Sequence, residues 1–240
     1  MAPIVHCVRH AQGVHNLGRQ FYGIQDPDLT ELGQQQCLDL RKKFPYHKNV
    51  DLLVASPIRR TMYTCLIGFQ PETERGLTVI ALPEIQETSD NKCDTGSDLP
   101  KLKEEFKDQP VDLSRVGEDW NSKKGRWAPT DVALTARAKA ARQWLKARPE
   151  KEIVMVTHGG FLHHFNQDWE GFDPVVGTGW KNCEFRTYEF VDEEGDNASL
   201  KETAESRERR RGAEQPLTET EKTQLEVTQQ RTAEEIKAVA

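Results

Sequence analysis

Near the N-terminus stands Ile4-Val5-His6-Cys7-Val8-Arg9-His10-Ala11-Gln12-Gly13-Val14-His15-Asn16. Its first half is short, apolar and β-branched, which reads as a buried strand. The run then stops at an Arg-His pair with Gly13 close behind. Such a strand delivers a charge and an imidazole to the edge of a sheet, and in open α/β sheets ligands bind at the carboxyl ends of the strands. Arg9 offers a planar fork of donors that suits phosphate. His10 offers a nucleophilic ring nitrogen near neutral pH. Gly13, His15 and Asn16 form a polar turn able to wrap an anion. A plainer reading makes Arg9 a surface ion-pair partner and His10 a capping imidazole; this stretch alone does not separate the two.

The chain beyond it repeats the pattern. Asp51 to Ala55 is a second apolar strand that stops at Ser56-Pro57, and Pro57 suits the first turn of a helix running through Arg59 and Arg60 to Ile67. Thr78 to Leu82 is a third strand, followed by Pro83-Glu84. Ile153 to Thr157 is a fourth, broken by His158-Gly159-Gly160. Phe185 to Val191 alternates and reads as a later strand. Between them lie a helix capped by Thr30, with Leu32, Cys37, Leu40 and Phe44 facing in, and a helix from Thr130 to Ala147. The second is expected to turn Val132, Ala136, Ala140, Trp144 and Leu145 inward. Gly160 to Trp169 reads as a further helix carrying His163 and His164, which as adjacent residues do not share a helix face for a metal. Strands alternating with helices predict an α/β three-layer sandwich, a mostly parallel sheet with helices on both faces.

Residues 86–129 lose this pattern and read as an inserted cap of loops and short helices. Phe21, Tyr22, Trp120 and Trp127 lie where they would roof a pocket, which favours an apolar phosphorylated metabolite over a sugar phosphate. Asp94-Thr95-Gly96 has the form of the aspartic-protease triplet, but it lacks apolar flanks and a second copy. The domain expectation is a catalytic unit over 1–191 and a charged tail over 192–240, disordered or loosely helical.

With 240 residues the chain is long enough for a sizeable core, and its net charge of −6 argues against nonspecific nucleic-acid binding. No apolar run would cross a bilayer and no signal segment is seen. The expectation is a cytoplasmic protein, with the nucleus not excluded and no membrane partner. Five cysteines without CxxC spacing fit reduced thiols better than disulfides or zinc.

Four segments carry a resemblance to the histidine phosphatase superfamily, also called phosphoglycerate-mutase-like proteins, over about Ile4 to Val191. Arg9 to Asn16 resembles the family's Arg-His-Gly box in the Arg-His-Ala-Gln-Gly-x-His-Asn form of fungal and plant members. Leu29-Thr30-Glu31-Leu32-Gly33 resembles the helix start that follows. Ser56-Pro57-Ile58-Arg59-Arg60-Thr61 resembles the Ser-Pro-x-x-Arg box, and Val156-Thr157-His158-Gly159-Gly160 the second histidine box. Ala11 departs from the family's commoner glycine.

The resemblance implies that His10 is the nucleophile, that Arg9, Arg60 and His158 form the phosphate pocket with Asn16 as a further donor, and that Glu84 is the general acid. Glu87, Asp90 and Asp94 lie close by and leave the choice of carboxylate open. Gly159, His15 and Tyr22 are candidate substrate contacts. The chemistry suits these types, because phosphoryl transfer spreads charge over equatorial oxygens that cations and donors must meet. The expected activity is a metal-independent, histidine acid phosphatase-like phosphomonoesterase. It would hydrolyse a small phosphorylated molecule through a phosphohistidine, with no cofactor. A phosphoglycerate-type mutase and a non-catalytic phosphate-binding interaction protein are the alternatives. A homodimer, or a protein contact through the tail, is left open.

Overall fold

The chain alternates strand and helix. β1 (Ile4–Arg9) leads to α1 (Glu31–Lys43), β2 (Leu52–Ala55), α2 (Arg59–Gly68), α3 (Gln70–Glu74) and β3 (Val79–Ala81). Then come α4 (Leu99–Glu105), β4 (Val111–Asp112), α5 (Asp131–Lys146), β5 (Glu152–Thr157) and α6 (Gly159–Asn166). β6 (Phe185–Phe190), β7 (Leu200–Glu202), α7 (Ala204–Arg209) and α8 (Glu219–Val239) complete it. The computed structural model describes residues 2–168 and 178–239. Trp169, the expected end of the sixth helix, lies outside them.

The strands form one seven-stranded sheet in the order β4-β3-β2-β5-β1-β6-β7. The five from β4 to β1 are parallel; β6 runs antiparallel to β1, and β7 to β6. This is the α/β sandwich the alternation predicts, with an antiparallel margin. β3, β2, β5 and β1 are contiguous, so their carboxyl ends form one rim. Register fixes that rim: Arg9 lies beside Thr157, and the His10 amide donates to the Thr157 carbonyl at 2.9 Å.

Successive strand residues face opposite layers. Val8, Leu53, Ala55, Val79, Ala81, Val154 and Val156 pack with Leu40, Phe44, Met62 and Cys65 from α1 and α2. Val5, Cys7, Leu52, Val54, Ile153 and Met155 pack with Ala138, Ala141 and Leu145 of α5 and Phe161, Leu162 and Phe165 of α6. Each fully buried aliphatic or aromatic side chain contributes about 1.5–3 kcal/mol, so the rim stands on a sheet packed on both sides.

Thr30 caps α1 as expected, its hydroxyl oxygen accepting from the Gly33 amide at 3.0 Å. Its own N–H donates to the Gln12 carbonyl at 3.0 Å, which ties α1 to the loop after β1. Two expected inward faces are shifted. Leu32 is exposed on α1. On α5, Val132 and Ala136 face out, whereas Leu134, Arg137, Ala138, Ala141, Arg142 and Leu145 face in. The buried face includes two arginines, which an apolar count assigns to solvent. Trp120 and Trp127 are buried in local core rather than roofing a pocket. Residues 192–240, read from sequence as a tail, carry β7, α7 and α8. α8 packs against α5 and α6.

Candidate active site

The four-strand rim gathers the charged groups. His10 directly follows β1, Ser56 follows β2, His158 follows β5, and the Glu84–Glu87 turn follows β3. Arg60 enters from the first turn of α2. Arg9, His10, Arg60, Glu87 and His158 are all at most 3% exposed.

The His10 and His158 rings lie 5.2 Å apart, and the His15 ring is 5.4 Å from His10. Nδ1 of His10 is 2.7 Å from the Ala11 carbonyl oxygen. A carbonyl only accepts, so Nδ1 carries the hydrogen and Nε2 keeps its lone pair. That lone pair accepts from Arg60 Nε at 3.2 Å. Burial, and then the charges of Arg60 and Arg9, hold His10 well below the ordinary imidazole range, so the ring is neutral. His158 is neutral for the same leading cause, burial, followed by Arg60. Its Nδ1 accepts from Arg60 Nη2 at 3.1 Å, and its Nε2 is 3.0 Å from Ser56 Oγ.

Arg60 is the hub. Besides both histidines it donates to the Cys93 carbonyl at 2.6 Å and to Asp94 Oδ1 at 2.9 Å. Asp94, fully buried, also accepts from Ser89 Oγ at 2.6 Å. Four directions of donation from one planar group are something a guanidinium supplies and an ammonium does not. Arg59 faces away and pairs with Asp28 and Glu105 at 2.6 and 2.7 Å. Arg9 Nη1 donates to the Trp180 carbonyl, while its buried Nε has no hydrogen-bond partner among the described residues.

The carboxylates divide. Glu84 Oε1 takes Arg126 at 2.9 Å, and among the described residues Glu84 makes no hydrogen bond to the His10–Arg60–His158 cluster. Among the described residues Glu87 makes no hydrogen bond to these three groups either, but it is buried close enough to feel the charges of Asp94, Arg60 and Arg9. Its Oε1 accepts from the Thr88 amide at 2.9 Å and from the Phe161 amide, at the start of α6, at 3.0 Å. Burial, and next the charge of Asp94, raise Glu87 to about 7, against the pull of Arg60 and Arg9. Gly160 makes this approach possible, since a Cβ there would sit 2.8 Å from Glu87 Oε1.

Asn16 Oδ1 accepts from the Gly13 amide at 3.0 Å, and its amide nitrogen reaches Thr220 Oγ1 at 3.3 Å. His15 is buried with both ring nitrogens unpartnered. The Tyr22 backbone carbonyl accepts from the Cys93 amide at 3.1 Å, and among the described residues its hydroxyl makes no hydrogen bond to the site. Lys123, in the left-handed region at φ 55°, sends Nζ to the Glu87 carbonyl at 3.0 Å. Burial and the nearby Arg137 lower it to about 7. The described residues show no His, Cys, Asp or Glu group arranged to hold a metal, and all five cysteines are free.

Residues 5–203 match the model of the histidine phosphatase superfamily, branch 1. The chain belongs to the histidine phosphatase superfamily. It is 29% identical over 229 residues to phosphoglycerate mutase-like protein 1 of Arabidopsis thaliana, covering 78% of this chain and 81% of that one. It is 27% identical over 168 residues to a probable phosphatase of Schizosaccharomyces pombe, covering 68% and 77%. A phosphoserine phosphatase mutant from Entamoeba histolytica, solved with phosphoserine, shares the fold at a TM-score of 0.52 and 18% identity, covering 84% and 95%.

Within this histidine phosphatase, Glu87 and Asp94 are named by the sequence only as carboxylates near Glu84, and Glu221 is not named at all. Asp94, which steadies Arg60, lay in the triplet set aside as a protease likeness. Glu87 had a visible signal, because Ile85-Gln86-Glu87 repeats the apolar-x-Glu spacing of Leu82-Pro83-Glu84. Glu221 of α8 had one too: Thr218-Glu219-Thr220-Glu221 has the form of a helix-starting capping box. That pattern gives a helix start and says nothing of where the helix docks.

Proposed function

We propose that this histidine phosphatase is a phosphomonoesterase that hydrolyses a small-molecule phosphate ester through a phosphohistidine on His10. The observation that carries this reading is the neutral Nε2 of His10, aimed into a ring of Arg9, Arg60 and His158 with the raised carboxyl of Glu87 beside it. Attack begins when Arg60 Nε turns from the His10 lone pair to an oxygen of the phosphate. Nε2 then bonds to phosphorus as the ester oxygen leaves. Glu87, still protonated near neutral pH, gives that oxygen its proton. Charge on the equatorial oxygens is met by Arg9, Arg60, His158 and the Asn16 amide. Water, relieved of a proton by Glu87, then attacks the phosphohistidine and frees phosphate and His10. No metal enters these steps. Five reduced thiols fit a reducing, cytoplasmic setting.

The test is a screen of phosphate esters on the purified protein, with phosphate release measured beside the isomerised product a mutase would give. Rapid quenching should trap an alkali-stable, acid-labile phosphoryl group on His10, and His10→Ala should lose both turnover and the label while remaining folded. Full activity in His10→Ala would end the proposal. Transfer between positions of one substrate without net phosphate release would favour the mutase reading instead.

A further inference from the structure

α8 reaches into the site. Glu221 is 2% exposed and uses both oxygens. Oε1 lies 3.1 Å from the Trp180 amide and 3.2 Å from His163 Nε2 of α6. Oε2 accepts from the Thr218 amide at 2.7 Å, the capping-box contact that starts α8, and lies 3.9 Å from Arg9 Nη1. Burial would raise this carboxyl, but His163 and Arg9 bring it down to about 2, so it is charged. Arg9 Nη1 therefore donates to the Trp180 carbonyl with the Glu221 charge 3.9 Å away, and Arg9 Nε, without a partner among the described residues, is left for a ligand.

The same helix covers the rim. Thr220 meets Asn16, and Gln224 Nε2 donates to Asp94 Oδ2 at 3.2 Å. Gly159 and Gly160 lie beneath it: a Cβ at Gly159 would stand 3.0 Å from Glu221 Cγ, and one at Gly160 2.7 Å from Gln224 Oε1. Further along, Arg231 pairs with Asp90 at 2.9 Å and Thr232 Oγ1 accepts from the Asp131 amide at 2.9 Å. These attachments are mostly polar, each of a kind that contributes about 0.5–1.5 kcal/mol. A groove of about 470 Å³ runs along α8, lined by Leu225, Thr228 and Thr232 with Asp131 and His164 opposite.

We propose that α8 is a working wall of the active site: Glu221 is a positioning residue for Arg9, and the helix that bears it lifts to admit the phosphate ester. This rests on the phosphatase reading above. The catalytic groups are at most 3% exposed, and on this reading an ester reaches His10 when α8 moves. When it returns, Arg9 is set for the transition state.

Glu221→Gln keeps the size and removes the charge. The expected result is a fall in kcat of at least tenfold with KM changed by less than threefold. Vanadate, which takes the trigonal-bipyramidal shape of phosphoryl transfer, should bind at least tenfold more weakly by calorimetry. A merely structural role would lower the active fraction and leave the affinity of the folded protein for vanadate alone. Folded Glu221→Gln with unchanged kcat and vanadate affinity overturns the positioning role. The movement is tested in D131C/T232C, in which a disulfide joins α8 to the start of α5. Oxidation should stop turnover and vanadate binding at least tenfold, and reductant should restore both, with the native chain treated alongside. Equal rates in the oxidised and reduced forms overturn the lifting wall. If the native chain proves to hydrolyse no ester, the phosphatase reading fails, while vanadate binding still tests Glu221 and the lock.

Discussion

Arg60 points its Nε at Nε2 of His10 across 3.2 Å, so the guanidinium rests on the nitrogen proposed above to attack phosphorus. One planar group thereby adds to the burial that keeps His10 neutral, aims its ring, and on the proposed mechanism follows the charge as it moves to the phosphate. Arg60→Lys retains a positive charge but cannot serve His10, His158, Cys93 and Asp94 together. A loss of about 100- to 1000-fold in kcat is expected, the usual cost of one oxyanion donor. Steady-state phosphate release at saturating ester measures it, and a loss below threefold would show that charge alone suffices.

Glu84 and Glu87 separate by pH. Glu87 titrates near 7, and as an acid it works only below that value. The rate with a poor alkyl leaving group should therefore fall as pH rises through about 7. In Glu87→Gln that limb should vanish and kcat drop about 100- to 10000-fold. A nitrophenyl ester, whose leaving group needs no proton, should lose much less. Glu84→Gln should stay within threefold of the native rate. It should lose less than about 1 kcal/mol of stability, since its partner Arg126 is largely exposed. The reverse outcome in paired pH profiles would return the acid role to Glu84.

Gly33 offers a test of how the first box is held. A Cβ there would stand 2.1 Å from the Gln12 carbonyl oxygen, a backbone atom that cannot swing aside. Gly33→Ala must push α1 away from the loop after His10. The expected cost is about 1–3 kcal/mol, in line with overpacking elsewhere. It would be read by denaturant unfolding, together with a lowered kcat. An unchanged midpoint would mean that the loop yields freely.

His163 predicts an alkaline weakness. Burial opposes its charge, but Asp168 and Glu221 raise it to about 9. The folded state thus holds a proton that the unfolded chain, near 6.5, gives up. The stabilisation is complete below 6.5 and fades as pH rises through about 9. The full effect is on the order of 3 kcal/mol. Unfolding curves at pH 6, 8 and 10 should converge with those of His163→Gln at the highest pH. A constant gap between the two proteins would refute this.

The rim was legible because it obeys local rules. Four strands end in Arg9-His10, Ser56, Glu84 and His158, and short apolar runs followed by Pro or Gly mark such ends well. What escaped was settled by side-chain direction. Glu84 and Glu87 differ by three residues in an irregular turn, where no periodicity says which one points inward. Leu32 and Val132 look inward by hydropathy and are exposed, while Arg137 and Arg142 take buried places on α5 because backbone carbonyls accept from them. The C-terminal helix was hidden for a related reason. Its buried face is Thr220, Glu221, Gln224 and Thr228, residues that composition assigns to water. Their partners, Asn16, Arg9 and Asp94, lie more than a hundred positions away.

The carboxylate that begins α8 is also the one that faces Arg9. If α8 is the lifting wall proposed above, loosening its first turn and opening the pocket over His10 are a single event. Breathing of one helical turn, ordinarily of no account at the end of a chain, would here set the tempo at which substrate and phosphate change places. Backbone amides near Glu221 should then exchange with solvent as often as the pocket opens.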